Sequence, residues 1–213
     1  MSFFPFLLDF TPRRFAREPY HHVSGNLAFD FDFSSALIVQ LNNCVARKVH
    51  RNSLTWDLTK KYHYADPYQH RLSGPYPNLA SEPFRAKPGS IEVLHPPPGQ
   101  EGPSFCCLYG QYKMGRSSST YYLNCPKIGT RYRFMALRMD SYEHRLHYFH
   151  KCLRKLLLFL SSSDKFEYVA IPFHIGCGLA GGKWSDYEPM ISQFCKRLKK
   201  VKPSIKVLIV DKI

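Results

Sequence analysis

Two short stretches leave this chain little choice of fold. Residues 36–41 read ALIVQL and residues 205–210 read IKVLIV, both almost wholly apolar. A strand with one wet face alternates polar and apolar residues. A strand without that alternation is buried on both faces, as when helices cover both sides of a sheet. Ser90 to Leu94, Ser104 to Tyr109 and Tyr168 to Ile171 read as further strands, the first two separated by the turn-rich HPPPGQEGP.

Helical patterns lie between them. From Asp140 to Leu160, Leu146, Phe149, Leu153, Leu156, Leu157 and Leu160 form one apolar stripe, with Arg145, Lys151 and Lys155 off it. Ser185-x-x-Glu188 reads as a capping box. It opens a helix whose Tyr187, Met190, Ile191, Phe194, Cys195 and Leu198 face the core, with Pro189 in the first turn. Lys196, Arg197, Lys199 and Lys200 crowd its C-terminus, where the helix dipole favours cations. A shorter helix is predicted from Ser53 to Tyr62, with Leu54, Leu58 and Tyr62 four apart and Asn52 or Ser53 as cap. Strands alternating with helices mean an α/β sandwich with a largely parallel sheet.

In such sheets ligands bind beyond the carboxyl ends of the strands. Asn42-Asn43, Gly110-Gln111 and a glycine-rich run each follow a strand directly, so they should meet on one sheet edge. The run is IPFHIGCGLAGGKW, with Gly176, Gly178, Gly181 and Gly182 ahead of a helix. Glycine turns at helix N-termini present free N–H groups and positive potential to anions, diphosphate above all. The same run also fits a purely structural turn. It has no Gly-Lys-Ser or Gly-Lys-Thr of a P-loop, and it lies too late in the chain for a dinucleotide fingerprint.

The 213 residues, 44% hydrophobic and 15% aromatic, can pack one core. No apolar run is long enough to span a bilayer, so no membrane partner is expected. MSFFPFLLDF lacks a basic start and carries Asp9, which reads as a tail rather than a signal peptide. Residues 1–22, with Pro5, Pro12, Pro19, Arg13, Arg14 and Arg17, are expected to form an irregular basic arm, and 23–213 one domain. Pro67 to Gly89 is too long for a plain connector and reads as a functional excursion or a flap. Gly115 to Arg133, with Ser117, Ser118 and Ser119, reads as a mobile loop.

The seven cysteines include no Cys-x-x-Cys pair, which points to buried free thiols in a reducing compartment, cytoplasmic or nuclear. Zinc would need paired spacing. His144, His147 and His150 recur at helical spacing and read as a solvated face, so no metal and no cofactor are expected. The formal net charge of +14 suggests an anionic partner, nucleic acid, phosphate or nucleotide, although solvated lysines alone give the same balance.

IPFHIGCGLAGGKWSDYEPMI resembles the C-terminal signature of macro domains, and most closely their ADP-ribose-1''-phosphate-processing branch, whose loop also reads IGCGLAGG before a tryptophan. SGNLAFDFDFSSALIVQLNNCV resembles the family's first buried strand, which ends in Asn-Cys. NLASEPFRAKPGSIEV resembles a segment of viral and microbial members, and FCCLYGQYKMG the central strand with its loop. The likeness runs from about Val23 to Val210.

The resemblance implies a three-layer α/β/α sandwich with a mixed, largely parallel sheet and a cleft for ADP-ribose. Ile175, Gly176, Cys177, Gly178, Leu179, Ala180, Gly181 and Gly182, with Trp184, would cradle the diphosphate and distal ribose. Asn42, Asn43 and Cys44 would lie at the strand end, with Asn43 against the distal ribose, and Gly25, Asn26 and Leu27 would face adenine. Asn43 and His50 are the catalytic candidates, although His50 reads equally as a loop histidine without a role.

Three departures stand out. Asn26 occupies the usual place of an aspartate, although an amide can still pair with adenine. VARKVHRNS replaces a small-residue loop after the Asn, so that Arg47, Lys48 and Arg51 are offered to phosphate instead of close backbone. Ala180 stands where hydrolases with a lysine nucleophile carry an aspartate; Lys183 follows the loop, and Asp186 serves the helix N-terminus.

The function classes that follow are a hydrolase acting on an ADP-ribose derivative by water attack, a reader of ADP-ribosylated macromolecules, and a binder of RNA or poly(ADP-ribose). The last would use the basic surface of Arg13, Arg14 and Arg17 with Lys196 to Lys202.

Overall fold

The computed structural model describes residues 19–74, 78–117, 121–124, 131–134 and 140–212. Its centre is a six-stranded sheet built from β1 (His21–Ser24), β2 (Ala36–Asn43), β3 (Ile91–Leu94), β4 (Ser104–Gln111), β7 (Tyr168–Pro172) and β8 (Lys206–Asp211). The spatial order is β1-β8-β7-β2-β4-β3. Every neighbouring pair is parallel except β3 with β4.

The double-sided apolar runs do what their composition requires. Successive side chains of a strand point to opposite faces. Leu37 and Val39 enter one core with Cys106, Leu108, Val169 and Ile171, beneath α2 (Tyr142–Ser161) and α3 (Trp184–Val201). Ala36 and Ile38 enter the other with Phe105 and Ala170, beneath α1 (Leu54–Lys61). The result is a three-layer α/β/α sandwich with a mixed, mostly parallel sheet, as expected.

The helices depart from expectation at particular residues. α1 is capped by Ser53, whose hydroxyl accepts from Trp56 N. In α3 the capping box does not form. The helix starts at Trp184 with Lys183 as cap residue, and Glu188 accepts from the Tyr20 hydroxyl instead. Pro189 therefore lies beyond the first turn, and the ladder lacks the bond that a donor there would make to the Ser185 carbonyl. Arg145, expected off the apolar stripe of α2, is 1% exposed and inside the protein. Burial wins over charge here because Asp140 pairs with it.

Gly115 to Arg133 contains strand structure, which corrects its reading as a loop: β5 (Tyr121–Asn124) and β6 (Arg131–Phe134) pair antiparallel as a separate two-stranded sheet. Ser118 and Ser119 lie outside the described residues, as do Arg13, Arg14 and Arg17 of the expected arm. Tyr20 is buried in the core, and His21 and His22 belong to β1. The excursion from Pro67 folds back, bridging Ala46 to Leu79 and Ser73 to Ala80. It covers a third cluster with Cys44, Val45, Cys107 and Tyr109.

Candidate functional site

At the carboxyl edge of the sheet, the ends of β2, β4 and β7 open onto a cavity of about 500 Å³. Its lining combines Asn42 and Asn43 from β2, Gln111 from β4, the run from Pro172 to Gly176, and Gly178 to Ala180. Lys48, His50 and the N-terminal residues of α1 close one side, and Tyr68 contributes from the excursion. The three strand-end segments thus meet, as the sequence predicts. Among the described residues, no carboxylate appears in this lining.

The four glycines have separate reasons. At Gly176 φ is +79° and an added Cβ would come within 2.7 Å of the Tyr187 ring. Gly182 would press its own on the Gly176 carbonyl oxygen at 2.6 Å, and Gly181, at φ +71°, on Arg116. These three are demanded by the turn and its packing. Gly178 is different: nothing lies within 4 Å of the Cβ it lacks. The protein does not need a glycine there, and that position faces open space on the cavity lining.

The loop spends only some of its N–H groups internally. Ile175, Cys177, Gly181 and Gly182 donate to the carbonyls of Pro172, His174, Gly178 and Gly176. Among the described residues, the N–H groups of Gly176, Gly178, Leu179 and Ala180 donate to no protein acceptor. Successive unspent backbone donors make a concavity for anions. Two buried acceptors in the same lining also lack partners, Asn42 Oδ1 and Gln111 Oε1. An unpaired buried acceptor is costly unless a donor arrives.

Asn43 is held firmly. Its Oδ1 accepts from Ala46 N at 2.7 Å and its Nδ2 donates to the Tyr68 hydroxyl at 3.2 Å. Towards a ligand it keeps its second Nδ2 hydrogen as a donor and the second lone pair of Oδ1 as an acceptor. Burial pushes the Tyr68 phenol up to about 12, so it stays protonated at neutral pH. His50 is exposed on the cavity wall, and its Nδ1 accepts from Asn52 N at 3.2 Å. In the neutral ring that bond assigns the proton to Nε2 and makes His50 a donor. His174 also lines the cavity, at φ +57°, stacked on Phe173 with centroids 3.8 Å apart and edge-on to Trp184. A left-handed backbone is uncommon for a non-glycine residue, although histidine adopts it more readily than most.

Other predicted residues lie elsewhere. Cys44 is fully buried in the third cluster, and burial pushes its thiol up to about 12. Cys177, Gly181, Gly182 and Trp184 are not in the cavity lining. Gly25, Asn26 and Leu27 follow β1 on the same edge, two strands beyond β7, and are outside this lining. There Asn26 Oδ1 accepts from Ala28 N, and Asp30 accepts from Asn26 N. Of Arg47, Lys48 and Arg51, only Lys48 touches the cavity. Asp186 sits in the first turn of α3 and accepts from the Tyr142 hydroxyl at 2.6 Å. The lysines from Lys196 to Lys202 end α3, which returns from the cavity edge to the opposite edge of the sheet, and Lys202 pairs with Asp164.

Two contributors escape sequence reading. Tyr68 arrives from a segment without periodicity. Arg145 donates bidentately to Asp140, at 2.9 and 2.6 Å, and also to the carbonyls of Gly115, Ala180 and Lys113. One buried guanidinium thus ties the loop after β4 to the glycine loop. A polar residue beside an apolar stripe is the only sequence trace of it.

Among the described residues, no group of His, Cys, Asp and Glu side chains could hold a metal, and no helix is long and apolar enough to cross a membrane. The described cysteines are free thiols.

No family model matches the chain, and no curated protein matches it. Among solved structures, it is similar to the macrodomain of Mycobacterium tuberculosis DarG, with a TM-score of 0.56 at 17% identity. The match covers 89% of this chain and 95% of that one. The shared feature is the macrodomain fold.

Proposed function

We propose that this cavity binds the diphosphate and distal ribose of ADP-ribose, and that the protein hydrolyses an ADP-ribose derivative by water attack. The derivative is ADP-ribose-1''-phosphate or an ADP-ribosyl adduct of a macromolecule. One observation carries the reading: four unspent N–H groups and two unpartnered amide acceptors share one cavity at the strand ends. Phosphate oxygens need donors and ribose hydroxyls need acceptors, so both halves of the ligand find partners. The fold and the IGCGLAGG resemblance support the same ligand.

In this reading Gly176, Gly178, Leu179 and Ala180 hold the diphosphate, and Asn42 and Gln111 accept from ribose hydroxyls. Asn43 donates from its remaining Nδ2 hydrogen. With no carboxylate among the described lining residues, water is activated by position rather than by a strong base, and the loop N–H groups meet the developing charge. His50, as an Nε2–H donor, serves the leaving group. Adenine lies outside the cavity, towards Gly25, Asn26 and Leu27.

A reader without turnover is the second reading. The lack of a carboxylate among the described lining residues favours it. Calorimetric titration with ADP-ribose tests the common premise, with Gly178→Glu as control. Micromolar binding that the variant abolishes supports the site; absence of binding by the wild type overturns both readings. Phosphate release from ADP-ribose-1''-phosphate, and ADP-ribose release from modified protein, then separate enzyme from reader.

A further inference from the structure

The loop after β2 was expected to offer its cations to the first cavity, and mostly it does not. Arg47, Lys48 and Arg51 line a second cavity of about 500 Å³ with Arg71, Trp56 and Asp66. It lies between this loop, α1 and the start of the excursion, and Lys48 and Tyr68 form its wall with the first cavity. Among the described residues, four cations and one carboxylate line it. Asp66 Oδ1 accepts from Tyr68 N at 2.7 Å.

The cations differ in their freedom. Arg71 is built in: its Nη1 donates to the carbonyls of Cys44 and Ala46, and its guanidinium stands 4.6 Å from the Tyr68 ring centroid. Arg47 Nη1 donates to Ser73 Oγ at 2.5 Å. Lys48 and Arg51 are exposed, and among the described residues neither has an acidic partner. Like charges gathered around a concavity repel one another, and an anion relieves that repulsion. Trp56 is half-buried in the same lining, and Lys60 Nζ stands 5.8 Å from its ring centroid. Cations beside an aromatic platform form the recognition set for single-stranded nucleic acid, in which backbone phosphate meets arginine and the base stacks.

We propose that this second cavity binds a nucleotide unit of single-stranded nucleic acid, its phosphate on Arg47 and Arg51 and its base on Trp56. The site is separate from the one assigned to ADP-ribose and does not rest on that assignment. An acidic peptide could satisfy the arginines but leaves the indole without a planar partner, which is why nucleic acid is favoured.

The test is fluorescence anisotropy of short labelled oligo(dT) and oligo(U) at low salt. The wild type, Arg51→Glu, Trp56→Ala and Gly178→Glu are compared, with oligoglutamate of equal length as competitor. Arg51→Glu and Trp56→Ala are expected to weaken oligonucleotide binding about tenfold each. Gly178→Glu should leave it unchanged, and wild-type affinity should fall steeply with salt. Arg51 is exposed on a loop, so its variant keeps the test valid if Trp56→Ala perturbs α1. The proposal is overturned if the wild type does not bind, if neither variant weakens binding, or if oligoglutamate competes as well as the oligonucleotide. Calorimetry with ADP-ribose on Arg51→Glu separates the two sites: unchanged ADP-ribose affinity with lost oligonucleotide affinity supports the second site. Equal loss of both would merge the two sites and overturn the proposal.

Discussion

At the residue scale, the glycine loop divides labour among positions that look alike. Gly176 and Gly182 are held by Tyr187 and by each other's backbone, whereas Gly178 faces only space. The two kinds of glycine should respond differently to substitution. Gly178→Glu is expected to leave the thermal midpoint unchanged and abolish ADP-ribose binding, because its side chain enters the cavity without a clash. Gly176→Ala is expected to cost about 1–3 kcal/mol, from the left-handed φ and overpacking against Tyr187. Paired thermal melts and calorimetry check both. Asn43→Ala removes the acceptor for Ala46 N and leaves a buried donor unpaired, an expected loss of about 1–3 kcal/mol in urea denaturation.

At the scale of elements, the site depends on loops held by a helix that never touches a ligand. Arg145 leaves the N-terminal part of α2, pairs with Asp140, and donates to Gly115 and Ala180 across two loops. Breaking a buried pair by removing one partner strands the other charge. Arg145→Met is therefore expected to cost about 3–5 kcal/mol in urea denaturation. It should also weaken ADP-ribose binding, since both loops lose their common tie. Unchanged stability would mean that Asp140 finds another cation. The strand ends show the same economy of position. β2 and β4 slip register between Leu41 and Asn43, so that Asn43 comes opposite Gln111 where the cavity opens.

For the whole molecule, the buried thiols and phenols set the alkaline limit of stability. Burial raises Cys44 and Cys152 from an ordinary 9.0 to about 12. Tyr68 rises from 10.0 to about 12 for the same reason. These groups keep their protons in the folded state after the unfolded chain has lost them. The unfolded state then binds fewer protons, so stability falls as pH rises. The loss begins above the unfolded value of 9.0 and continues through the folded value of about 12. Each thiol contributes about 1.4 kcal/mol per pH unit within that window. Urea midpoints measured from pH 8 to 11 check this; a flat profile would mean that these thiols are hydrated.

What the sequence determined by itself was local. Periodicity records whether a segment is buried on one face or two, so β2, β8, α2 and α3 could be read directly, and with them the sandwich. β1 could not, because HHVS carries no apolar run and owes its strand to pairing with β8. The meeting of Asn42, Gln111 and the glycine loop followed from strand order in a parallel sheet, a general rule rather than a detail of this chain. Only the tertiary structure decided which glycine the packing does not require, which amides lack partners, and which cavity Arg47 and Arg51 line. It alone revealed Tyr68 and Arg145, each joined to partners far along the chain. The physical reason is that burial pattern is written in neighbours along the chain. A site is written in contacts between distant segments, and a charged residue such as Arg145 can be buried only because folding brings its partners to it.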